Sequence, residues 1–247
     1  MQKGFSLVEL AIVLVIIGLL TGGILKGREL LMNTRTATTI SALQDVRVAA
    51  ETFKKTYGDL PGDIVNPGQV IPACVNNCTT PGNGDGNIGW DVPATYLPGS
   101  IGIENTTFWL HLAAANLVRG ISVHPDALEF GLSHPMTPLS GLFVFHQPAN
   151  GGLFTDALQT PNPAGNMLIL LDSFGAVNAI KDMINIPAPY VQRIDQKLDD
   201  GKPNTGQVRA IGLRSGVPEE SCVSDATDAG EYVLESNICS AMLPLRL

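Results

Sequence analysis

Phe5 to Leu25 is a run of 21 residues that holds one charged side chain, Glu9. As an α-helix rising about 1.5 Å per residue it is about 31 Å long, the thickness of a bilayer's hydrocarbon core. A chain with such a segment must place it in lipid or against other apolar helices. A secretory signal peptide fits it poorly. The basic flank is only Met1-Gln2-Lys3-Gly4, and the apolar run is longer than a usual signal core. Thr21-Gly22-Gly23-Ile24 is a weak substitute for an Ala-x-Ala-like cleavage site. A plain membrane anchor is a further reading. Glu9 separates the readings, because a carboxylate four residues into an apolar run is costly in lipid unless it has a partner or an interfacial position.

Beyond Arg28 the pattern turns amphipathic. Ile40, Leu43, Val46, Ala50, Phe53 and Tyr57 recur at spacings of three and four, on one helical face. Gly58 and Pro61 then stop the helix. The spacing therefore predicts one helix from Phe5 to Tyr57, about 80 Å long. Its first part, about 5–25, is a span, and its second, about 26–57, is a stem that packs its stripe on a head. Six stripe positions are too few to require a coiled coil. Gly18, Gly22, Gly23 and Gly27 form two interleaved Gly-xxx-Gly pairs, which either admit close helix neighbours or loosen the helix.

Charge divides the chain in the same place. Residues 1–55 carry seven Lys/Arg against four Asp/Glu, a net +3, and the remainder carries a net −11. An acidic head argues against a nucleic-acid groove made from the whole domain, though not against a local basic patch, and no nucleic-acid partner is expected. Lys26 and Arg28 beyond the span run against simple positive-inside counting for a head held outside.

The residues Lys3-Gly4-Phe5-Ser6-Leu7-Val8-Glu9-Leu10 resemble the processing site of type IV pilins and type II secretion pseudopilins. The resemblance is close over residues 3 to about 30 and looser afterwards. It implies a leader, 1–4, removed by a prepilin peptidase that cuts between Gly4 and Phe5 on the cytoplasmic side. It also implies N-methylation of Phe5 and pairing of Glu9 with the Phe5 amine of a neighbouring subunit. That pairing makes physical sense, since a buried acid without a partner costs several kcal/mol. The partners implied are copies of the chain or other pilins, the peptidase, an inner-membrane assembly platform and, before assembly, the membrane. Helices of this family often loosen at a proline, and none occurs here between residues 5 and 60.

Residues 58–247 read as a globular head, so the fold class is α+β: a long N-terminal helix packed on a C-terminal head with a small antiparallel sheet and short helices. Helices are expected over 107–118 and 190–200, and strands over 142–145, 167–171, 208–213 and 232–234. All four cysteines lie in the head. Their even number and the exported context favour disulfides. Pairing near neighbours gives Cys74–Cys78 and Cys222–Cys239, the second closing a C-terminal loop as pilins often do. Spacings of Cys-x3-Cys and Cys-x16-Cys do not form the knuckles of a zinc site.

Asn83, Asp85 and Asn87 alternate as oxygen ligands do in a calcium loop, and Asp91 extends the alternation. Asp59 and Asp63 in the preceding turn complete a candidate calcium shell. The competing account is a metal-free Gly/Asn turn. Ala94 stands where an EF-hand places its bidentate acid. Gly84, Gly86 and Gly89 spell Gly-x-Gly-x-x-Gly, but no strand precedes them and Pro93 follows, so a dinucleotide loop is rejected. Asp195, Asp199 and Asp200 read as a solvated, self-paired surface beside Lys197 and Lys202. No Gly-x-Ser-x-Gly, Walker loop or His-Glu-x-x-His occurs, and the expectation is not an enzyme.

The expected function is a structural subunit, a pilin of the major or the minor kind, in a type IV pilus-like filament. The alternatives are a type II secretion pseudopilin and, from another class, a membrane-tethered extracytoplasmic binding protein that never polymerises. The expected location is a single pass through the bacterial inner membrane with the N-terminus cytoplasmic and the head periplasmic. A surface pilus or periplasmic pseudopilus then follows.

Overall fold

A computed structural model describes residues 6–89, 104–147, 164–173, 185–212, 222–224 and 230–245. One helix, α1, runs unbroken from Leu7 to Tyr57. Ser6 caps it: its Oγ accepts the Val8 N–H, and its own N–H donates to the Glu9 carboxylate at 2.9 Å, closing a capping box. At the far end Gly58 takes φ +92° and donates its N–H to the Lys54 carbonyl, with Lys54 and Lys55 complementing the negative helix end.

The second half of α1 is the spine of the head. Leu43, Val46, Ala50 and Phe53 are buried, Ile40 and Tyr57 pack partly buried beside them, and Thr36, Thr39 and Ala49 widen the face. Phe53 sits within 4.6 Å of the Tyr57 ring and stacks on His111. Full burial of one such side chain contributes about 2 kcal/mol, so the stripe anchors the stem firmly. Polar ties reinforce it. The Arg47 guanidinium donates to the Pro244 carbonyl, Thr39 donates to Thr137 at 3.3 Å, and Arg193 donates to Asn33.

Short helices follow: α2 over Pro67–Val70, a 3-10 turn over Asn76–Thr79, α3 over Glu104–Ala114 and α4 over Ala188–Leu198. The sheet has strands β1, Gly141–Gln147, β2, Gly165–Leu171, β3, Arg209–Ile211, and β4, Ser240–Pro244. They lie in the order β1-β2-β4-β3, all antiparallel, with Phe143 opposite Ile169, Ile169 opposite Met242 and Ala210 opposite Ala241. Leu142, Val144, Leu168, Leu170 and Leu243 face the core shared with α1 and α3; Phe143, Phe145, Met167, Ile169 and Met242 fill a second cluster on the other face. Burial on both faces explains why these strands read as continuous apolar runs instead of alternating ones.

The α+β architecture is as the sequence implies, with local differences. The helix expected over 107–118 begins at Glu104 and ends at Ala114, because Asn116 turns left-handed at φ +56° and the Leu117 N–H reaches back to the Leu112 carbonyl. Tyr232-Val233-Leu234 is not a strand; Tyr232 makes only an isolated bridge to Val223. The fourth strand is Ser240–Pro244 instead, a segment without β-branched residues that is recruited by the open edges of β2 and β3. Of the strand expected over 208–213, residues 209–211 pair, and Leu213 lies outside the described residues.

Candidate functional site

The first feature is the N-terminal half of α1. Every residue from Ser6 to Leu31 is exposed, Leu7 at 86% and Leu19 at 72%. The segment is long and apolar enough to cross a membrane, and none of it is buried within the chain. Exposed apolar surface on this scale needs lipid or other helices. Gly18, Gly22, Gly23 and Gly27 leave it flat, with no atom of the chain near where a Cβ would stand. Glu9 belongs to this surface and in the single chain its Oε2 caps its own helix. The signature Ser6-x-x-Glu9 before an apolar run is a capping box legible in the sequence, although the register role alone was read from it. Gly4 and Phe5 lie outside the described residues.

The second feature is the loop at 82–89. Asp63, 2% exposed, accepts the Gly84 N–H on Oδ1 and the Gly86 N–H on Oδ2, both at 2.7 Å. Glu104, the first residue of α3, accepts the Asn83 N–H at 3.0 Å and the Gly89 N–H at 2.8 Å. Within the loop, Asn83 Oδ1 accepts the Asp85 N–H and Asp85 Oδ1 accepts the Asn87 N–H, two successive Asx turns. Asn166 at the start of β2 takes the Ile88 N–H and donates to the Gly86 carbonyl, seating the loop on the sheet. Gly62 must be glycine, with φ +89° and the Glu104 carbonyl against the place of its Cβ.

Of the six residues expected around calcium, the structure thus brings Asp63, Asn83, Asp85 and Asn87 together. It leaves Asp59 exposed at the end of the stem, and Asp91 lies outside the described residues. It adds Glu104, which sequence spacing could not supply from twenty residues away. An acid opening an apolar helix was the available signal. Both oxygens of Asp63 and of Glu104 hold backbone N–H groups. Burial pushes the Asp63 and Glu104 carboxyls above their usual range. Burial also raises Asp85, but hydrogen bonds from Asn87 and Asn83 outweigh it and leave it below the usual range.

The cysteines form the bonds Cys74–Cys78 and Cys222–Cys239, and none is free. His111 stands beside the first pair, and with both sulfurs in a disulfide the trio offers no thiolate to a metal. Instead His111 Nδ1 accepts the Gly62 N–H at 2.8 Å and Nε2 lies 2.9 Å from the Cys78 carbonyl, which fixes a neutral ring with the proton on Nε2. Cys239 of the second disulfide, just before β4, pairs through its backbone with Ile186, just before α4. Near it, Asp195 is fully buried and accepts the Tyr232 hydroxyl at 2.8 Å and the Gly201 N–H at 3.2 Å. Asp199 and Asp200 hold the backbone of the 202–208 turn. The trio is therefore structural in part, with Asp195 buried where a solvated surface was expected.

Residues 1–25 match the prokaryotic N-terminal methylation motif, the signal segment of type IV pilins and pseudopilins. No curated protein matches the chain, and no solved structure does. The motif and the exposed apolar helix behind it support a precursor that is processed at its N-terminus and anchored through that helix. Over residues 1–25 the chain is similar to type IV pilins and pseudopilins, a structural group that is generally not enzymatic.

Proposed function

We propose that this chain is a pilin, of the minor kind, in a type IV pilus-like filament. A prepilin peptidase cuts it between Gly4 and Phe5, Phe5 is N-methylated, and the mature chain assembles through α1. The observation that carries this reading is the apolar surface from Leu7 to Leu31, exposed all round on a helix whose other half is the spine of the head. Lipid satisfies that surface before assembly, and neighbouring copies satisfy it afterwards. The head of about 190 residues, large for a subunit that only polymerises, favours a minor role. Two disulfides favour a head in the oxidising periplasm.

Glu9 has a defined part in this reading. Its Oε2 already accepts a bond from its own helix end, and among the described residues Oε1 has no partner. The methylated amine of a neighbour's Phe5 fits Oε1, so two subunits slide until the charges meet. The test is the mass of the mature protein and the fate of Glu9→Ala. A mature chain starting at Phe5 with one extra methyl is expected, together with a Glu9→Ala variant that is cut normally but excluded from filaments. An intact Met1 overturns the processing reading, and normal assembly of Glu9→Ala overturns the register role.

A further inference from the structure

Asparagine or aspartate followed by glycine is a chemically labile step in a polypeptide at neutral pH. The glycine nitrogen, with no side chain beside it to obstruct the approach, attacks the Cγ of the preceding side chain. The new C–N bond closes a succinimide. Ammonia leaves from an asparagine and water from an aspartate, each carrying away the glycine N–H proton. Water then opens the ring to aspartate or to isoaspartate, which inserts a methylene into the main chain. The sequence has four such steps, Asn83-Gly84, Asp85-Gly86, Asn150-Gly151 and Asp200-Gly201. All but Asn150-Gly151 lie within the described residues.

The three described steps are built alike. In each, the attacking nitrogen is held by the side chain of a buried aspartate. The Gly84 N–H donates to Asp63 Oδ1 and the Gly86 N–H to Asp63 Oδ2, both at 2.7 Å, and the Gly201 N–H donates to Asp195 Oδ1 at 3.2 Å. Asp63 is 2% exposed and Asp195 fully buried. The attacked side chain is held as well. Asn83 Oδ1 accepts the Asp85 N–H at 3.0 Å, Asp85 Oδ1 the Asn87 N–H at 2.7 Å, and Asp200 Oδ1 the Lys202 N–H at 2.9 Å. Asp85 and Asp200 also lie below the usual carboxylate range. Burial raises each, but hydrogen bonds outweigh it, from Asn87 and Asn83 in the first and from Thr205 and Lys202 in the second. An ionised carboxylate is a poor target for a nitrogen nucleophile. The glycines themselves are left-handed, at φ +75°, +83° and +76°, so a residue with a side chain would strain the turns.

We propose that Asp63 and Asp195 guard these steps, and that Asn83, Asp85 and Asp200 are the sites where the head acquires isoaspartate when a guard lets go. The attack needs the glycine nitrogen released from its acceptor. Modification therefore proceeds through local opening of each turn and not from its closed form. The two guards come from separate parts of the fold, Asp63 from the turn after the stem and Asp195 from α4, so each can be released without the other.

The test uses the full chain in detergent, incubated warm at neutral pH. Peptide mapping by mass spectrometry follows deamidation, and an isoaspartyl methyltransferase applied to the peptides follows isomerisation. The same chain unfolded in urea with its disulfides reduced sets the unguarded rate. The folded wild type is expected to react about tenfold more slowly, or slower still, at all three steps. Asp195→Asn keeps an oxygen for the Tyr232 hydroxyl but turns its amide toward Gly201. It is expected to speed Asp200-Gly201 about tenfold and to leave Asn83 and Asp85 unchanged. Asp63→Ala is expected to give the reverse pattern. Its larger effect falls on Asp85-Gly86, because the Gly84 N–H also reaches the Asp63 main-chain carbonyl at 3.1 Å. Asp63→Asn is closer in shape, keeps one acceptor oxygen and is expected to release one of the two steps only. Asn150-Gly151 serves as the reference in every variant. Folded and unfolded wild type reacting at equal rates would overturn the proposal, as would unchanged rates in the variants. Slower reaction in the variants would make the carboxylates bases for the attack and sink it too. An equal rise at all four steps would report a loosened head and no guard.

Discussion

Asp63 shows how a charged side chain comes to be conformational glue. It is buried because the loop at 82–89 folds over it, and both its oxygens accept backbone N–H groups of that loop. Truncating it to alanine would leave the Gly84 and Gly86 donors in a half-buried position without their acceptor. Such loss costs about 1–3 kcal/mol for each donor so exposed. Asp63→Ala is expected to destabilise the head by about 3 kcal/mol, read as a lower melting temperature of the full chain in detergent. The same measurement addresses calcium. If the loop is held by N–H donors alone, the wild-type melting temperature is the same in calcium and in chelator. A rise in calcium that Asp63→Ala abolishes would instead assign a cation to Asp63, Asn83, Asp85 and Asn87. In sequence, the alternation of Asn83, Asp85 and Asn87 showed that this stretch turns tightly around side-chain oxygens. It could not show whether those oxygens face an ion or the loop's own backbone, because Glu104 and Asn166 reach the loop only through the tertiary fold.

At the scale of elements, what was legible followed from periodicity. The apolar stripe from Ile40 to Tyr57 keeps a helical period, and Gly58 closes it with a left-handed turn that a glycine adopts at no steric cost. The paired strands around Phe143 and Ile169 were legible for the same reason, their apolar runs being too short for helices and bounded by glycine and proline. The strand Ser240–Pro244 was not, since its composition is poor in strand formers and only the vacant edges of β2 and β3 make it one. Tyr232 misled in the opposite sense: an aromatic beside a valine and a leucine reads as a strand, but its hydroxyl is committed to Asp195. The C-terminal strand depends on its tether. Cys222–Cys239 closes a loop of 17 residues and Cys74–Cys78 one of four. In the chain-entropy account their removal costs about 3 and about 2 kcal/mol respectively. The double variant Cys222→Ser, Cys239→Ser is therefore expected to melt lower than Cys74→Ser, Cys78→Ser. The reverse order would mean that the 3-10 turn at Asn76–Thr79 matters more to the head than β4.

Across the whole molecule, buried titratable groups set opposing pH dependences on one core. His111 and His134 are buried among Phe53, Trp109 and Phe143, and burial lowers them to about 4 and about 3. Below about pH 6.5 the unfolded chain binds protons that these folded rings refuse, so their contribution to stability is lost as pH falls. Asp195 works the other way. Burial raises it to about 7, against the hydrogen bonds from Tyr232 and Gly201 and with the help of the charges on Asp200 and Asp199. Between about pH 4 and pH 7 the folded head keeps a proton that the unfolded chain has released, so this group's contribution is lost as pH rises. In the window they share, about pH 4 to 6.5, the two histidines outweigh the one acid, so wild-type stability should rise with pH there by at most about 1.4 kcal/mol per pH unit. Asp195→Asn removes one side of the balance while keeping an oxygen acceptor for Tyr232. Urea unfolding of the full chain in detergent is then expected to show the variant gaining on the wild type as pH rises from about 4 to about 7. The gain is at most about 1.4 kcal/mol per pH unit, with no further change above. Parallel curves for the two proteins would mean that Asp195 is already ionised in the folded head, and that the disulfide-closed C-terminal loop tolerates a buried charge at its base.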